Sequence, residues 1–154
     1  MSTRSLIAYE EKDLRIISTY CHMDGYPSYN GAMLLHCWNS EDLARQLVDN
    51  GYISSLCPTI EEINDKRVHK DKPDQWSNEW SFIQNGDPLF MEYLYLFKGG
   101  LWWISKSMTL DTPDGYQDQT YYHSSFSPLT TKVNSSDIER LFAGEFDWTT
   151  GVAQ

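Results

Sequence analysis

Nothing in these 154 residues supplies a long apolar run, a close cysteine pair or an excess of basic charge. Each lack closes off a class of function. The richest apolar stretch, from Leu89 to Ile104, is broken by Glu92, Lys98 and Gly99-Gly100, short of the ~20 apolar residues that a bilayer span needs. The opening MSTRSLIAYEEKD carries charge within its first dozen residues and no apolar stretch before a cleavage site. The expectation is therefore a chain without a targeting segment or membrane contact, at work in the cytoplasm. Cysteine occurs three times, as Cys21, Cys37 and Cys57. That odd count, with no CxxC, argues for buried thiols in a reducing compartment rather than a disulfide framework.

Basic side chains are scarce. The formal net charge is −10, with 7 basic and 10 acidic residues in positions 1–70 and 5 and 12 in the remainder. Duplex binding rests on neutralising phosphates, so direct nucleic-acid binding is not expected. A protein with a basic surface is the better electrostatic match. Mimicry of nucleic acid by carboxylates would serve such a partner too, provided that folding gathers the dispersed acids on one face.

Patterns that carry metal or phosphate chemistry are also missing. There is no GxxxxGK[ST], no GxGxxG, no HExxH and no zinc-ribbon spacing among Cys21, His22, Asp24, His36, Cys37 and His123. Cys21-His22 invites a thiol-nucleophile reading, but neighbours on a strand point to opposite faces, so His22 is badly placed to serve Cys21 as a base. No catalytic residue, metal ligand set or cofactor is assigned.

What the chain does have is aromatic mass: 6 Trp, 10 Tyr and 6 Phe within a 40% apolar content. That is ample for one core, and positions 1–154 are expected to form one domain. Ser5–Tyr9 and Leu14–Tyr20 flank the polar Glu10–Asp13 and predict a β-hairpin. Leu89–Phe97 and Leu101–Lys106 flank Gly99-Gly100, a strong signal for a second hairpin. The aromatic cluster Tyr93, Tyr95, Trp102 and Trp103 reads first as core, with an exposed binding face as the alternative. Tyr121–His123 reads as a further strand.

A short helix is expected over Tyr29–Trp38. A better one follows Ser40, with Glu41 and Asp42 in its first turn, a Leu43–Leu47–Val48 stripe and Asn50-Gly51 as its stop. Tyr52–Leu56 is a short strand or a packed loop. Thr59-x-x-Glu62 caps a brief helix. Lys66–Asn78 and Asp111–Gln119 read as loops. Ser135 or Ser136 caps a last helix over Ile138, Leu141 and Phe142. The expected class is α+β: an antiparallel β-sheet built from hairpins, with two or three helices packed on one face.

One segment concentrates polar chemistry: Tyr20-Cys21-His22-Met23-Asp24-Gly25-Tyr26-Pro27. Together with the opening Met1-Ser2-Thr3-Arg4-Ser5 and a helix ending at Asn50-Gly51 before Ile53-Ser54-Ser55-Leu56, it resembles a family of small bacteriophage and prophage proteins that open MSTRS and carry a YCHWDGYP-type motif. The Leu94–Phe97 to Trp103 hairpin fits the same family, while Met23 stands where that motif has Trp. The resemblance implies a phage accessory protein acting in the host cytoplasm. Such a protein binds and inhibits or modulates a host protein, such as an antiviral CRISPR or restriction nuclease complex. It implies Arg4, Tyr20, His22, Asp24 and Tyr26 as a shared binding pocket. The competing expectation is that these residues form a buried structural network with Arg4 paired to Asp24. A small hydrolase, or a nucleotide-processing or sequestering protein, with a pocket around His22 and Asp24 is the alternative function.

Overall fold

Two strand runs, Leu6–Tyr9 and Leu94–Phe97, are apolar without alternation, as strands are when both faces of a sheet are covered. In the computed structural model they lie side by side at its centre. The structure describes residues 3–110 and 120–130, together with the backbone of 146–147 and 152–153. Strands β1 (Ser5–Glu10) and β2 (Ile16–Cys21) form the first hairpin. A π-helical turn (Pro27–Gly31) runs into α1 (Ala32–Cys37), and α2 (Glu41–Asp49) and α3 (Ile60–Lys66) follow. Next come β3 (Asp74–Trp76), α4 (Glu79–Asn85), β4 (Tyr93–Lys98), β5 (Leu101–Leu110), β6 (Thr120–His123) and β7 (Ser127–Pro128). A separate two-stranded pair joins β8 (Phe146–Asp147) to β9 (Val152–Ala153). The expected last helix and the 111–119 loop lie outside the described residues.

The fold is α+β. The strand order is β3-β2-β1-β4-β5-β6, with β7 also on β5. Both expected hairpins form, and Gly99 and Gly100 turn the second with φ of 60° and 81°, the positive values that a type I′ turn needs. The hairpins join through β1 and β4, which run parallel from Ser5↔Tyr93 to Tyr9↔Phe97. The sheet is thus mixed at its centre and antiparallel elsewhere.

Strand alternation divides the core in two. Ile7, Tyr9, Cys21, Tyr95, Phe97 and Trp102 face a layer that includes Met33 and Leu34 of α1, Leu47 of α2 and Ile63 of α3. On the other face Leu6, Ala8, Ile16, Leu94 and Leu96 pack around Phe82 of α4. Three helices therefore share one face, as expected, and a fourth covers the opposite one. Ser40 and Thr59 cap α2 and α3 by accepting from the N–H of Leu43 and Glu62, both at 3.2 Å. No helix among the described residues is long and apolar enough to cross a membrane.

Candidate functional site

The Tyr20–Pro27 segment begins as the end of β2, so its side chains diverge. Cys21 points into the helix-covered core, wholly buried, with Asn30 donating to both its sulfur (3.3 Å) and Ser5 Oγ (3.2 Å). Burial pushes the Cys21 thiol up to about 11, which leaves little thiolate near neutral pH. His22 leaves on the other side, its Nδ1 2.8 Å from the Tyr20 hydroxyl. His123 is committed elsewhere, with Nε2 2.9 Å from the Met91 carbonyl and Nδ1 3.4 Å from that of Ile83. Neither of these two rings is bonded to the Cys21 sulfur.

Much of the motif serves the chain reversal. Gly25 N–H donates to the Thr3 carbonyl at 2.8 Å, and the Tyr95 hydroxyl donates to the Gly25 carbonyl at 2.6 Å. A Cβ on Gly25 would meet the Thr3 oxygen at 2.8 Å, so only glycine lets the turn seat against the N-terminal strand. Pro27 opens the π-helical turn, where a missing N–H costs nothing.

Asp24 holds the reversal at a φ of 56°. Its half-buried carboxyl has no hydrogen bond or ion pair among the described residues, and burial raises its pKa. The anticipated Arg4–Asp24 pair does not form. Arg4 lies near Tyr20 instead, opposing the rise that burial imposes on that hydroxyl, and its Nε is buried without a partner. Tyr26 sits near Tyr93. The structure therefore groups Arg4, Tyr20 and His22, and no bond links Asp24 or Tyr26 to them among the described residues.

A carboxyl whose folded-state pKa lies above its unfolded value costs stability while ionised. That cost fades as pH falls and the folded state takes up the proton first. Asp24→Asn removes the charge and retains a residue that tolerates a left-handed backbone. The variant is expected to be more stable than the parent at pH 7 by less than about 1 kcal/mol, with the gap closing towards the acid range. Urea unfolding at stepped pH measures it, and a destabilised Asp24→Asn would restore a structural role for the carboxylate.

Distant residues complete the Tyr20 cluster. The Tyr52 ring lies 5.6 Å from that of Tyr20, and His69 meets Tyr52 edge-on at 5.1 Å. Beside them opens a cleft of about 510 Å³ lined by Thr19, Tyr20, Tyr52, Asp71, Lys72 and Asp74. No group of three or more His, Cys, Asp or Glu is placed to hold a metal ion among the described residues.

A second region involves α4, where the sequence pattern predicts no helix. Helix α4 buries Phe82 but leaves Trp80 70% exposed. Its start was signalled by Asn78, which accepts from Ser81 N–H at 2.8 Å, with Glu79 in the first turn. Trp80, Ile83, Trp103, His123 and Phe126 help line a groove of about 340 Å³. Leu89, Tyr93 and Tyr121 help line a second of about 280 Å³. Leu89, Phe90, Met108, Leu110, Tyr121 and Tyr122 are all exposed. The His123 ring lines the first of these grooves, set between the Ile83 carbonyl of α4 and the Met91 carbonyl before β4.

Compared with known proteins, the chain matches no family model, no curated protein and no solved structure.

Proposed function

We propose that this chain is a binding protein: an acidic, phage-encoded accessory factor that docks on a basic host protein in the bacterial cytoplasm and inhibits or modulates it. An antiviral nuclease complex, of CRISPR or restriction type, is the target class with the required basic surface. The observation that carries the reading is the set of large apolar side chains that stand out of the core, among them Trp80 on α4, Phe90 before β4, Leu110 on β5 and Tyr122 on β6. Large apolar side chains left in solvent are the raw material of interaction sites, and Trp and Tyr are the ones that most often anchor them. The charge of −10 supplies the complement to a basic partner and speeds encounter. The phage setting rests on the resemblance of the Tyr20–Pro27 segment.

Mimicry of nucleic acid would draw on a different surface. Glu41, Asp42, Glu61 and Asp65 are exposed on α2 and α3, across the sheet from α4. Two variant sets therefore separate the modes. Trp80→Ala with Tyr122→Ser removes apolar anchors, and Glu41→Lys with Glu61→Lys reverses carboxylates.

The test is a pulldown from phage-infected bacterial lysate at low and high salt, with each set compared with the parent. One stoichiometric, salt-sensitive basic partner is expected, lost at least about tenfold in the apolar set, as hot-spot truncations of 2 kcal/mol or more would give. Selective loss in the charge-reversed set would move the interface to α2 and α3. A protein recovered alone would sink the reading.

A further inference from the structure

The cleft beside β2 is built from parts that a fold does not need in order to close. Strand β3 pairs with β2 over three residues, from Ile16↔Trp76 to Ser18↔Asp74, and stops there. Further along the same edge Ile53 takes over, donating to the Tyr20 carbonyl at 2.9 Å and accepting from His22 N–H at 2.9 Å. Between these two pairings the cleft of about 510 Å³ opens, within the size range of small-molecule sites. Its walls are fixed. Tyr52 N–H donates to the Asp71 carbonyl at 3.0 Å, Val68 N–H to Ser54 Oγ at 3.2 Å, and the Arg67 guanidinium to the Asn50 carbonyl at 2.5 Å. The chain segment bearing Asp71 and Lys72 is thus strapped to the end of α2 on one side and held by β3 on the other. Such walls lose little freedom on binding.

The lining decides the ligand class. Thr19, Tyr20 and Tyr52 offer hydroxyls and ring edges but no broad apolar wall, which disfavours an apolar guest. A simple anion would meet Asp71 and Asp74, and a simple cation would meet Lys72, with Arg4 near Tyr20. A molecule carrying both an ammonium and a carboxylate satisfies both signs at once. The Tyr20 oxygen, 2.8 Å from His22 Nδ1, keeps capacity for one further hydrogen bond in either imidazole tautomer.

We propose that this cleft binds a small zwitterion of the amino-acid type, with Lys72 on the carboxylate, Asp74 on the ammonium and the Tyr20 hydroxyl as a further polar contact. The site is separate from the apolar surface around β6 and does not depend on the protein-binding reading.

Titrating the full chain with each of the common free amino acids, followed by amide NMR signals, tests it. At least one amino acid is expected to shift Thr19, Tyr20, Tyr52 and residues 71–74 saturably. Its N-acetyl form and its carboxamide, which keep one charge each, are expected to bind at least about tenfold more weakly. Lys72→Gln and Asp74→Asn, both at exposed positions, are expected to weaken the parent amino acid similarly while leaving the remaining spectrum unchanged. If no amino acid shifts these signals, or if the single-charge forms bind as well as the parent, the proposal is overturned. Undiminished binding in both variants would overturn it equally.

Discussion

Phe82→Ala is expected to cost about 3–5 kcal/mol of unfolding free energy, a large fraction of the ~5–15 kcal/mol that holds a domain of this kind. The ring is wholly buried, 5.6 Å from Trp76 and stacked 6.2 Å from Phe126. It is also the one fully buried side chain that α4 contributes. Nothing else on that helix can fill the space over Leu94, Leu96 and Ile16. Truncation leaves a cavity between two covers of the sheet, and rigid strands on one side cannot collapse into it. Trp80→Ala is the matched control: two residues earlier on the same helix, its ring is mostly in solvent, and its removal should stay within about 0.5 kcal/mol. Urea denaturation of both variants measures the difference. A Phe82→Ala loss below about 1 kcal/mol would mean that α4 does not cover this face. The pair also separates stability from binding, because only Trp80→Ala should lose a partner while keeping the fold.

That contrast bears on what a reading of residues reaches. Both hairpins were legible because their signals are local: apolar runs on either side of a polar turn or a glycine pair. Helices α2 and α3 were legible for the same reason, with Ser40 and Thr59 as their caps. Helix α4 carried equivalent punctuation in Asn78, Glu79 and Gly86. Its seven residues bury only Phe82 completely, however, so no apolar stripe repeats and the stretch before it reads as loop. The parallel join of β1 to β4 is of another kind. It pairs Ser5 with Tyr93, and no local signal reports a partner so far along the chain. The trace it leaves is the uninterrupted apolar character of both strands, which marks burial on two faces rather than a hairpin edge.

The candidate site divides in the same way. The Tyr20–Pro27 segment stood out by composition, and strand geometry correctly set Cys21 against His22. Whether its polar residues converge depends on the turn, where Asp24 adopts φ of 56° and Gly25 locks onto Thr3. That turn leaves Arg4, Tyr20 and His22 together, while Tyr52 and His69 join the cluster from elsewhere in the chain. Side-chain exposure at Trp80 was equally invisible, since it follows from which side of α4 Phe82 anchors.

The loop that walls the zwitterion cleft depends on one residue with no side chain. Gly51→Ala is expected to destabilise by about 2–5 kcal/mol, because two penalties act together. The first is conformational: Gly51 ends α2 at φ of 87°, a left-handed region that costs an L-residue about 1–2 kcal/mol. The second is steric. A Cβ there would collide with the Asp71 carbonyl oxygen, the same oxygen that accepts from Tyr52 N–H. Backbone stands on both sides of that contact, so no rotamer change relieves it. The 66–72 segment must lift instead, loosening the Arg67 bond to Asn50 and the Val68 bond to Ser54. Amide exchange makes the mechanism visible. Protection at Tyr52 and Val68 should fall before that of β1 and β4, whose ladders lie deeper in the sheet. Uniform loss of protection would instead place the whole effect in the helix cap. Retained stability in Gly51→Ala would mean that the strap, and with it the preformed wall of the cleft, is not held as described.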